Sequence, residues 1–494
     1  MVRLIRKDFF VFCIFESISE RKITKDSLSF SMPGYEYSKK FIDGYWDGKI
    51  KYFNSKNNSF PIGLLSYVVK SYEKNNISYE IVGFEPKDVS WVEFSALFKS
   101  DQRRFQRDAM LEHLKKGYGV IIIPTRGGKT YVAGELIRLL HNKTGCKSLF
   151  ITDITDAFNQ AIQDISKVLN ISKDQIGIIK GEKISIRNIN VAMVQTLQSI
   201  MKVSNRNKHK DRYEKIKKLF SENIYLIVDE VHEYGNSKSR MNLISSIKSK
   251  QAILGLSATP YKKDKIQNLN IKKLFGGEVY EISEKSLVEE KVLALNKILL
   301  IEIENSENSG KYSEIIEKLI IKNKERNQII LDIIEICKDL SLKLLIMFNS
   351  KKHGRFIANL SGEQFISGDD TGNIREETKR KFLNNKGMVL LVSHIWKKGI
   401  TLPEVQVLLN ASGGKEQSLV VQIRGRVLGV SENKNRAMFI DFIDSGNNYL
   451  SEHSLQRIKA YEGKLDEKNI EVLNSNDSNF YNDLRTLIKE FLYE

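Results

Sequence analysis

The chain has 494 residues, 41% of them hydrophobic, and carries 78 Lys plus Arg against 61 Asp plus Glu, a formal net charge of +17. At about 150 residues per domain this length implies roughly three domains, with enough apolar residues for real cores. Cys13, Cys146 and Cys337 lie far apart without a CxxC partner, which excludes a disulfide framework or a zinc site and is expected of a protein with reduced thiols in the cytoplasm. No segment approaches the ~18 apolar residues of a membrane span. The start, MVRLIRKDFFVFCIF, is read as a strand rather than a signal peptide, because its apolar run is short and Asp8 interrupts it. The basic balance points to a polyanion such as nucleic acid, although lysines on solvated faces would give the same arithmetic.

Residues 1–99 carry no nucleotide motif. Strand-like runs at Phe9–Phe15, Lys49–Phe53 and Tyr79–Val82 alternate with a helical stretch at Gly63–Lys74, so a small α+β domain is predicted. Within it, the stretch from Tyr35 to Lys49 interleaves aromatic residues with lysines and turn glycines. It suits nucleic-acid contact by stacking and phosphate pairing, or equally a core hairpin with exposed lysines.

From Asp101 the pattern turns to alternating strand and helix, which predicts a parallel sheet covered on both faces. Val120–Thr130 reads VIIIPTRGGKT, a short buried strand running into a glycine turn that opens a helix. Such a turn aims backbone N–H groups and a helix N-terminus at one point and suits a phosphate chain; Lys129 would reach the β- and γ-phosphates of ATP and Thr130 would ligate Mg²⁺. The eight-residue form needs a glycine where the chain has Ile123, so the match is the shortened PTxxGKT form. About a hundred residues on, Tyr225–His232 reads YLIVDEVH, and a strand ending in Asp229-Glu230 offers one carboxylate for Mg²⁺ and one to orient or deprotonate the attacking water.

PTxxGKT followed by DExH resembles the superfamily 2 helicases and translocases, and further segments extend the resemblance. It implies that Gln106, in RRFQRDA upstream of the phosphate turn, reads the adenine edge. Lys147–Asp153 and Val191–Gln198 look like the next two strands and match segments that follow a nucleic-acid backbone from strand-end loops; Thr196 fits well, while Asp153 stands where many relatives have Pro. The cationic RNKHKDRYEKIKK before Leu219 lies along a phosphate backbone or forms a solvated face. In LGLSATP, Ser257-Ala258-Thr259 resembles the triplet that bonds towards the DExH histidine, here His232, and couples nucleotide state to nucleic-acid grip. The first lobe is read as closing near Ile282.

After a linker around Glu284–Asn296, a second αβ series has strands at Leu344–Asn349, Phe365–Asp370 with its turn, and Met388–Ser393, and no phosphate loop of its own, as a two-lobed motor needs. Ser393–Pro403, with Gly399 and Thr401, resembles motif V, and Gln422-Ile-Arg424-Gly425-Arg426-Val-Leu-Gly429 resembles motif VI. The family pattern QxxGRxxR ends in an arginine where this chain has Gly429. That arginine often neutralises γ-phosphate charge, an effect of about 10³ to 10⁵ in rate; Arg426 or Arg424 would then serve instead, or hydrolysis is weak. Arg126 also replaces a glycine common in relatives. The segment from Ser451 is charged and helical, and either packs on the second lobe or binds DNA.

GYWDGKI, Pro61-Ile-Gly63-Leu64, RxxQ and the DFID at Asp441–Asp444 narrow the resemblance to the bacteriophage UvsW-like superfamily 2 DNA helicases. The expected fold is α/β: two tandem RecA-like lobes at 100–285 and 286–450, an N-terminal α+β DNA-binding domain at 1–99 and a helical tail at 451–494. The expected catalytic residues are Lys129, Glu230, Gln422 and Arg426. Gln106, Gly127, Gly128, Lys129, Thr130, Asp229 and Gly399 are expected to hold ATP, with Mg²⁺ on Thr130 and Asp229. The resemblance implies an ATP-driven helicase on branched or duplex DNA, with RNA met in RNA–DNA hybrids, that migrates Holliday junctions, regresses forks and unwinds R-loops in phage recombination and replication. A monomer is expected, with no membrane association. The alternatives are an RNA helicase, a translocase serving restriction or transcription, or a nucleic-acid-binding protein with a weakened motor.

Overall fold

The computed structural model describes residues 1–83, 102–202, 209–247, 250–261, 264–305, 310–385, 387–393, 404–414, 425, 427–431, 434–462 and 469–493. The chain divides into two units, one of Met1–Ile123 with Gly128–Ile282 and the other of Pro124–Gly127 with Ser283–Glu494.

The first unit begins with a four-stranded sheet in the order Ser59–Pro61, Phe10–Ile14, Val2–Lys7, Tyr79–Val82. Its strands alternate: Val2, Leu4, Val11 and Cys13 are buried while Arg3 and Ile14 face out, the period-two pattern of a sheet covered on one side. Helices Ile18–Ser27 and Leu65–Lys74 cover the inner face, the first opened by a capping box between Ser17 and Glu20. Leu269, on the first lobe's helix Lys265–Phe275, belongs to the same apolar cluster. Pro61-Ile-Gly63-Leu64 meets that helix: a methyl on Gly63 would stand 1.9 Å from the Lys272 carbonyl oxygen, so only glycine permits the approach. Tyr52 Oη donates to Asn270 Oδ1 at 2.8 Å and Arg6 Nη2 to the Lys116 carbonyl at 3.1 Å, so the N-terminal part is fastened to the first lobe at several points.

A separate two-stranded hairpin, Ser29–Ser31 with Lys49–Lys51, carries the aromatic and lysine stretch at its tip. Tyr35 and Phe41 pack edge to face at 4.8 Å. Tyr37 and Tyr45 are 89% and 85% exposed, so they are not the core residues that one reading of the sequence allowed.

The first lobe contains an eight-stranded sheet in the order Lys183–Ile184, Ile176–Lys180, Ile189–Met193, Lys147–Thr152, Ile224–Val228, Lys250–Ser257, Tyr118–Ile122, Glu278–Glu281. All neighbours are parallel except the first pair. The central strands Ile224–Val228 and Ile189–Met193 are buried throughout and mostly apolar, as cover on both faces demands; the buried Asn190 donates to the Ser148 and Arg187 carbonyls. One expected strand is shorter than predicted. It ends at Met193, and Val194–Met201 is a helix, because Val194, Leu197 and Ile200 recur at helical spacing and all three are buried. Thr196 therefore lies in that helix's first turn. The cationic stretch is helical over Lys210–Ser221, with Ile216, Leu219 and Phe220 turned inward.

The second unit contains a parallel seven-stranded sheet in the order Phe365–Ile366, Val389–Ser393, Leu344–Phe348, Val407–Asn410, Arg436–Ser445, Leu295–Glu304, Ile470–Asn474. The segment read as a linker is a short helix, Glu284–Glu289, capped by Ser283, leading to the strand Leu295–Glu304. The segment beyond Ser451 is built into this lobe. Arg457, buried on Asn448–Glu462, donates to Asp441 Oδ2 at 2.8 Å, Ile470–Asn474 pairs with Leu295–Glu304, and Phe480, Leu484 and Ile488 enter the core. Among the described residues no helix is long and apolar enough to cross a membrane.

Candidate nucleotide site

Two parallel strands deliver the two motifs to the same edge of the first-lobe sheet. Tyr118–Ile122 leads into the phosphate turn, and Ile224–Val228 leads into Asp229-Glu230. Strand carboxyl ends are where open α/β sheets place their ligands. Ile123 N–H bonds the Ser257 carbonyl at 3.2 Å and Gly127 N–H bonds the Pro124 carbonyl at 3.0 Å, so the turn is closed before the helix Lys129–Thr144 begins. Arg126 and Gly128 both take left-handed backbone, φ +74° and +89°. Gly128 is the N-cap and offers the helix no side-chain cap, which leaves first-turn N–H groups available to an anion.

Gln106 reaches this turn from the helix Arg104–Lys116. It is buried, its Oε1 accepts from Arg103 N–H at 3.3 Å, and a methyl on Gly128 would stand 3.1 Å from its Nε2. The residue expected to read adenine thus sits against the residue expected to cradle phosphate.

Lys129 Nζ lies 3.1 Å from Glu230 Oε1, with the two side chains 13% and 25% exposed. Asp229 N–H bonds the Ile151 carbonyl at 2.9 Å, so the acidic pair is pinned to the neighbouring strand. Burial works against the charge of Lys129, but the carboxylates of Glu230 and Asp229 outweigh it and hold the ammonium more firmly protonated than usual. Burial and the adjacent Glu230 raise the Asp229 carboxyl, while Glu230 resists the same burial and stays well below the ordinary carboxylate range through Lys129 and His232. Glu230 also holds φ +48°, a left-handed conformation that only a few per cent of non-glycine residues adopt.

His232 is buried, and its Nδ1 is 3.2 Å from both Glu230 Oε2 and Ser257 Oγ. Its Nε2 is 3.4 Å from Glu233 Oε1. Burial alone would lower its pKa, but the two carboxylates push it up to about 9, so it is an imidazolium at neutral pH. The contact between the SAT triplet and the DExH histidine is present, and Ser257 Oγ also donates to Glu230 Oε2 at 3.4 Å.

Lys129, Thr130, Asp229, Glu230, Gly128 and Gln106 are thus gathered around one strand edge, with Gly127 closing the turn before it. Gly399, Gln422, Arg424 and Arg426 lie outside the described residues. The sequence reading missed Glu233 and Arg240, whose ion pairs continue from His232. The only signal was Ser237-Lys-Ser-Arg240 after the DExH, in which Ser237 caps the helix Lys238–Ser246.

Residues 7–82 match the family described as "DNA helicase UvsW, N-terminal", residues 96–262 "Type III restriction enzyme, res subunit", and residues 313–429 "Helicase conserved C-terminal domain". The ATP-dependent DNA helicase uvsW of Enterobacteria phage T4 is 25% identical over 484 residues, covering 88% of this chain and 92% of its own. The DNA 3'-5' translocase XPB2 of Sulfurisphaera tokodaii is 22% identical over 391 residues, covering 70% and 82%. The fold is shared with Saccharomyces cerevisiae Dbp5 bound to RNA and ADP BeF3, with a TM-score of 0.55 at 13% identity over 81% of this chain and 96% of that one. With the two motifs joined at one sheet edge, these matches make the chain a UvsW-like superfamily 2 DNA helicase, an enzyme that hydrolyses ATP.

Proposed function

We propose that the chain is an ATP-driven motor that remodels branched DNA, migrating Holliday junctions, regressing forks and unwinding R-loops in phage recombination and replication. The observation that carries the catalytic part is the 3.1 Å pair of Lys129 and Glu230, contributed by motifs about a hundred residues apart. Lys129 would leave Glu230 for the β- and γ-phosphates, freeing Glu230 to orient the attacking water. The open N-terminus of the helix Lys129–Thr144 would hold phosphate oxygens, and Gln106 would choose adenine. Thr130 hydroxyl and Asp229 carboxylate are the hard oxygen donors that Mg²⁺ prefers. Among the described residues no group of three or more His, Cys, Asp or Glu side chains could hold a metal alone, which fits an ion that shares its ligands with the phosphates. Bound there, Mg²⁺ would neutralise charge developing on the phosphates. For Gly399, Gln422 and Arg426, with Arg424 as the other candidate finger, the proposed roles in nucleotide binding and hydrolysis rest on the motif V and motif VI resemblance.

Support for DNA comes from the named relatives and from the N-terminal hairpin, where Tyr37, Ile42 and Tyr45 are exposed among Lys39, Lys40 and Lys49. Exposed aromatic rings among lysines suit unpaired bases flanked by phosphates, as a branch point offers. The test is steady-state ATP hydrolysis with a four-way DNA junction, plain duplex DNA, single-stranded RNA or no nucleic acid. Wild type is compared with Arg426→Ala and Arg424→Ala. Stimulation greatest with the junction, and lost in one variant, is the expected result. Equal stimulation by RNA would favour the RNA-helicase alternative, and binding without stimulation would leave a binding protein with a weakened motor.

A further inference from the structure

The ion pairs at the nucleotide site continue beyond His232. Glu233 Oε2 lies 3.8 Å from Arg240 Nη1, and Arg240 Nη2 lies 3.2 Å from Asp153 Oδ2. Lys129, Glu230, His232, Glu233, Arg240 and Asp153 therefore form a ladder in which the sign of charge alternates at every step, and its links run from 3.1 to 3.8 Å. The far end is shielded, with Arg240 18% and Asp153 9% exposed, and the guanidinium carbon sits 5.4 Å from the centre of the Tyr234 ring. Charges so placed interact more strongly than surface pairs, which contribute little.

The far end is also where the loops expected to follow nucleic acid are attached. Asp153 ends the Lys147–Thr152 strand, and its carbonyl accepts from Gln195 Nε2 at 2.8 Å. Gln195 lies on the helix Val194–Met201, whose Gln198 Nε2 donates to Ser239 Oγ at 2.8 Å. Ser239 and Arg240 share the first turn of Lys238–Ser246, where Ser237 Oγ caps the Arg240 N–H at 3.4 Å. The helix Lys238–Ser246 thus holds the Asp153 loop and the helix Val194–Met201 by side-chain contacts and reaches back to Glu233.

We propose that Arg240 and Asp153 are positioning residues that couple the nucleotide site to the Asp153 loop and the helix Val194–Met201, so that a change of partner at Lys129 alters how the chain grips nucleic acid. Each inner member of the ladder has carboxylate or cation partners on both sides. An anion that draws Lys129 from Glu230 leaves Glu230 to His232 and the Ser257 hydroxyl, which loosens His232 from Glu233 and shifts the pull of Glu233 on Arg240. Arg240 then redistributes between Glu233 and Asp153, and Asp153 carries Gln195 with it. The inference rests on the motor reading above, because it needs a nucleic acid that the loops can hold.

The test is the affinity for a fluorescent DNA junction, by anisotropy, with and without a non-hydrolysable ATP analogue, beside DNA-free ATP turnover. Site-to-site couplings are typically about 5- to 150-fold, and the wild type should show a nucleotide-dependent change in DNA affinity in that range. Arg240→Gln should abolish that change while DNA-free turnover stays within about twofold, and Arg240→Lys should restore part of it. Asp153→Asn should reduce the change as Arg240→Gln does, and the double variant should lose no more than either alone, since one path is broken once. An unchanged nucleotide effect in Arg240→Gln overturns the inference and leaves the motor intact. So does a parallel fall in DNA-free turnover and coupling, which marks a merely structural pair. A wild type whose DNA affinity ignores nucleotide and whose turnover ignores DNA overturns the motor reading and this inference together.

Discussion

Lys129 Nζ and Glu230 Oε1 meet at 3.1 Å, so the cation that would bind ATP is charge-paired with the carboxylate that would direct the attacking water. Replacing Lys129 by Ala removes the phosphate's cation and leaves His232 as the cation beside Glu230. We expect ATP turnover to fall by about 10²- to 10³-fold, the scale of losing one charge-stabilising donor, with DNA binding retained. Turnover near the wild-type level would remove Lys129 from the mechanism.

Gln106 and Gly128 make a second pair with a distinct readout. Gln106→Ala should lower the preference for ATP over GTP by about 1–3 kcal/mol in kcat/KM, the range for a lost base-edge contact. Gly128→Ala places a methyl 3.1 Å from Gln106 Nε2 on left-handed backbone, so it should raise KM for ATP and destabilise the lobe by about 1 kcal/mol or more. Nucleotide competition and thermal unfolding check the two effects separately.

Gly63→Val tests the docking of the N-terminal sheet. With the Lys272 carbonyl 1.9 Å from the site of the first added carbon, the loop must retreat from the helix Lys265–Phe275. The apolar cluster shared with Leu269 then opens, and a loss of roughly 1–3 kcal/mol is expected, as for overpacking elsewhere. Limited proteolysis should cut the N-terminal part free first.

Tyr37→Ala and Tyr45→Ala should each weaken binding to DNA with unpaired bases by about 1–3 kcal/mol, the value of one stacked base. Both rings are exposed, so unfolding should stay within about 0.5 kcal/mol of wild type. Equal loss on fully paired duplex would argue against stacking.

Acid sensitivity follows from two buried histidines. His113 is lowered to about 3 by burial, and His353, whose Nε2 lies 2.7 Å from Asn327 Oδ1, is lowered to about 3 by burial and then by Arg326, against an ordinary 6.5. Both are neutral in the native state and bind protons more readily when unfolded. Their contribution is complete above pH 6.5 and is lost as the pH falls from there towards 3, at up to about 1.4 kcal/mol per pH unit for each. Urea unfolding at pH 7, 6 and 5 should show this slope, and His353→Gln should flatten it.

Much was legible in the residues because the relevant chemistry is local. A phosphate turn needs its glycines and Lys129 within a few positions, a buried parallel strand such as Ile224–Val228 must be apolar throughout, and a helix must recur every three or four residues. PTxxGKT, DExH, the order of strands and helices and the α/β class could therefore be read along the chain. Where two rules competed, the neighbouring structure decided. Val191–Gln198 is apolar enough for a strand, but its second half has helical spacing with a face to bury. Ile470–Asn474 shows little in isolation and is a strand because the edge of Leu295–Glu304 offers it hydrogen bonds.

What only tertiary structure decided are the relations between residues distant in sequence. Gly63 looks like a turn residue until the Lys272 carbonyl is found against it, and Tyr37 and Tyr45 could have been core until the hairpin turned them outward. Arg240 and Asp153 are ordinary surface letters 87 positions apart, and their ion pair exists because two parallel strands bring the loops after them to one edge. Sequence sets which groups are available and how each short segment folds. Distance, burial and the sign of neighbouring charge depend on packing, and packing is a property of the whole chain.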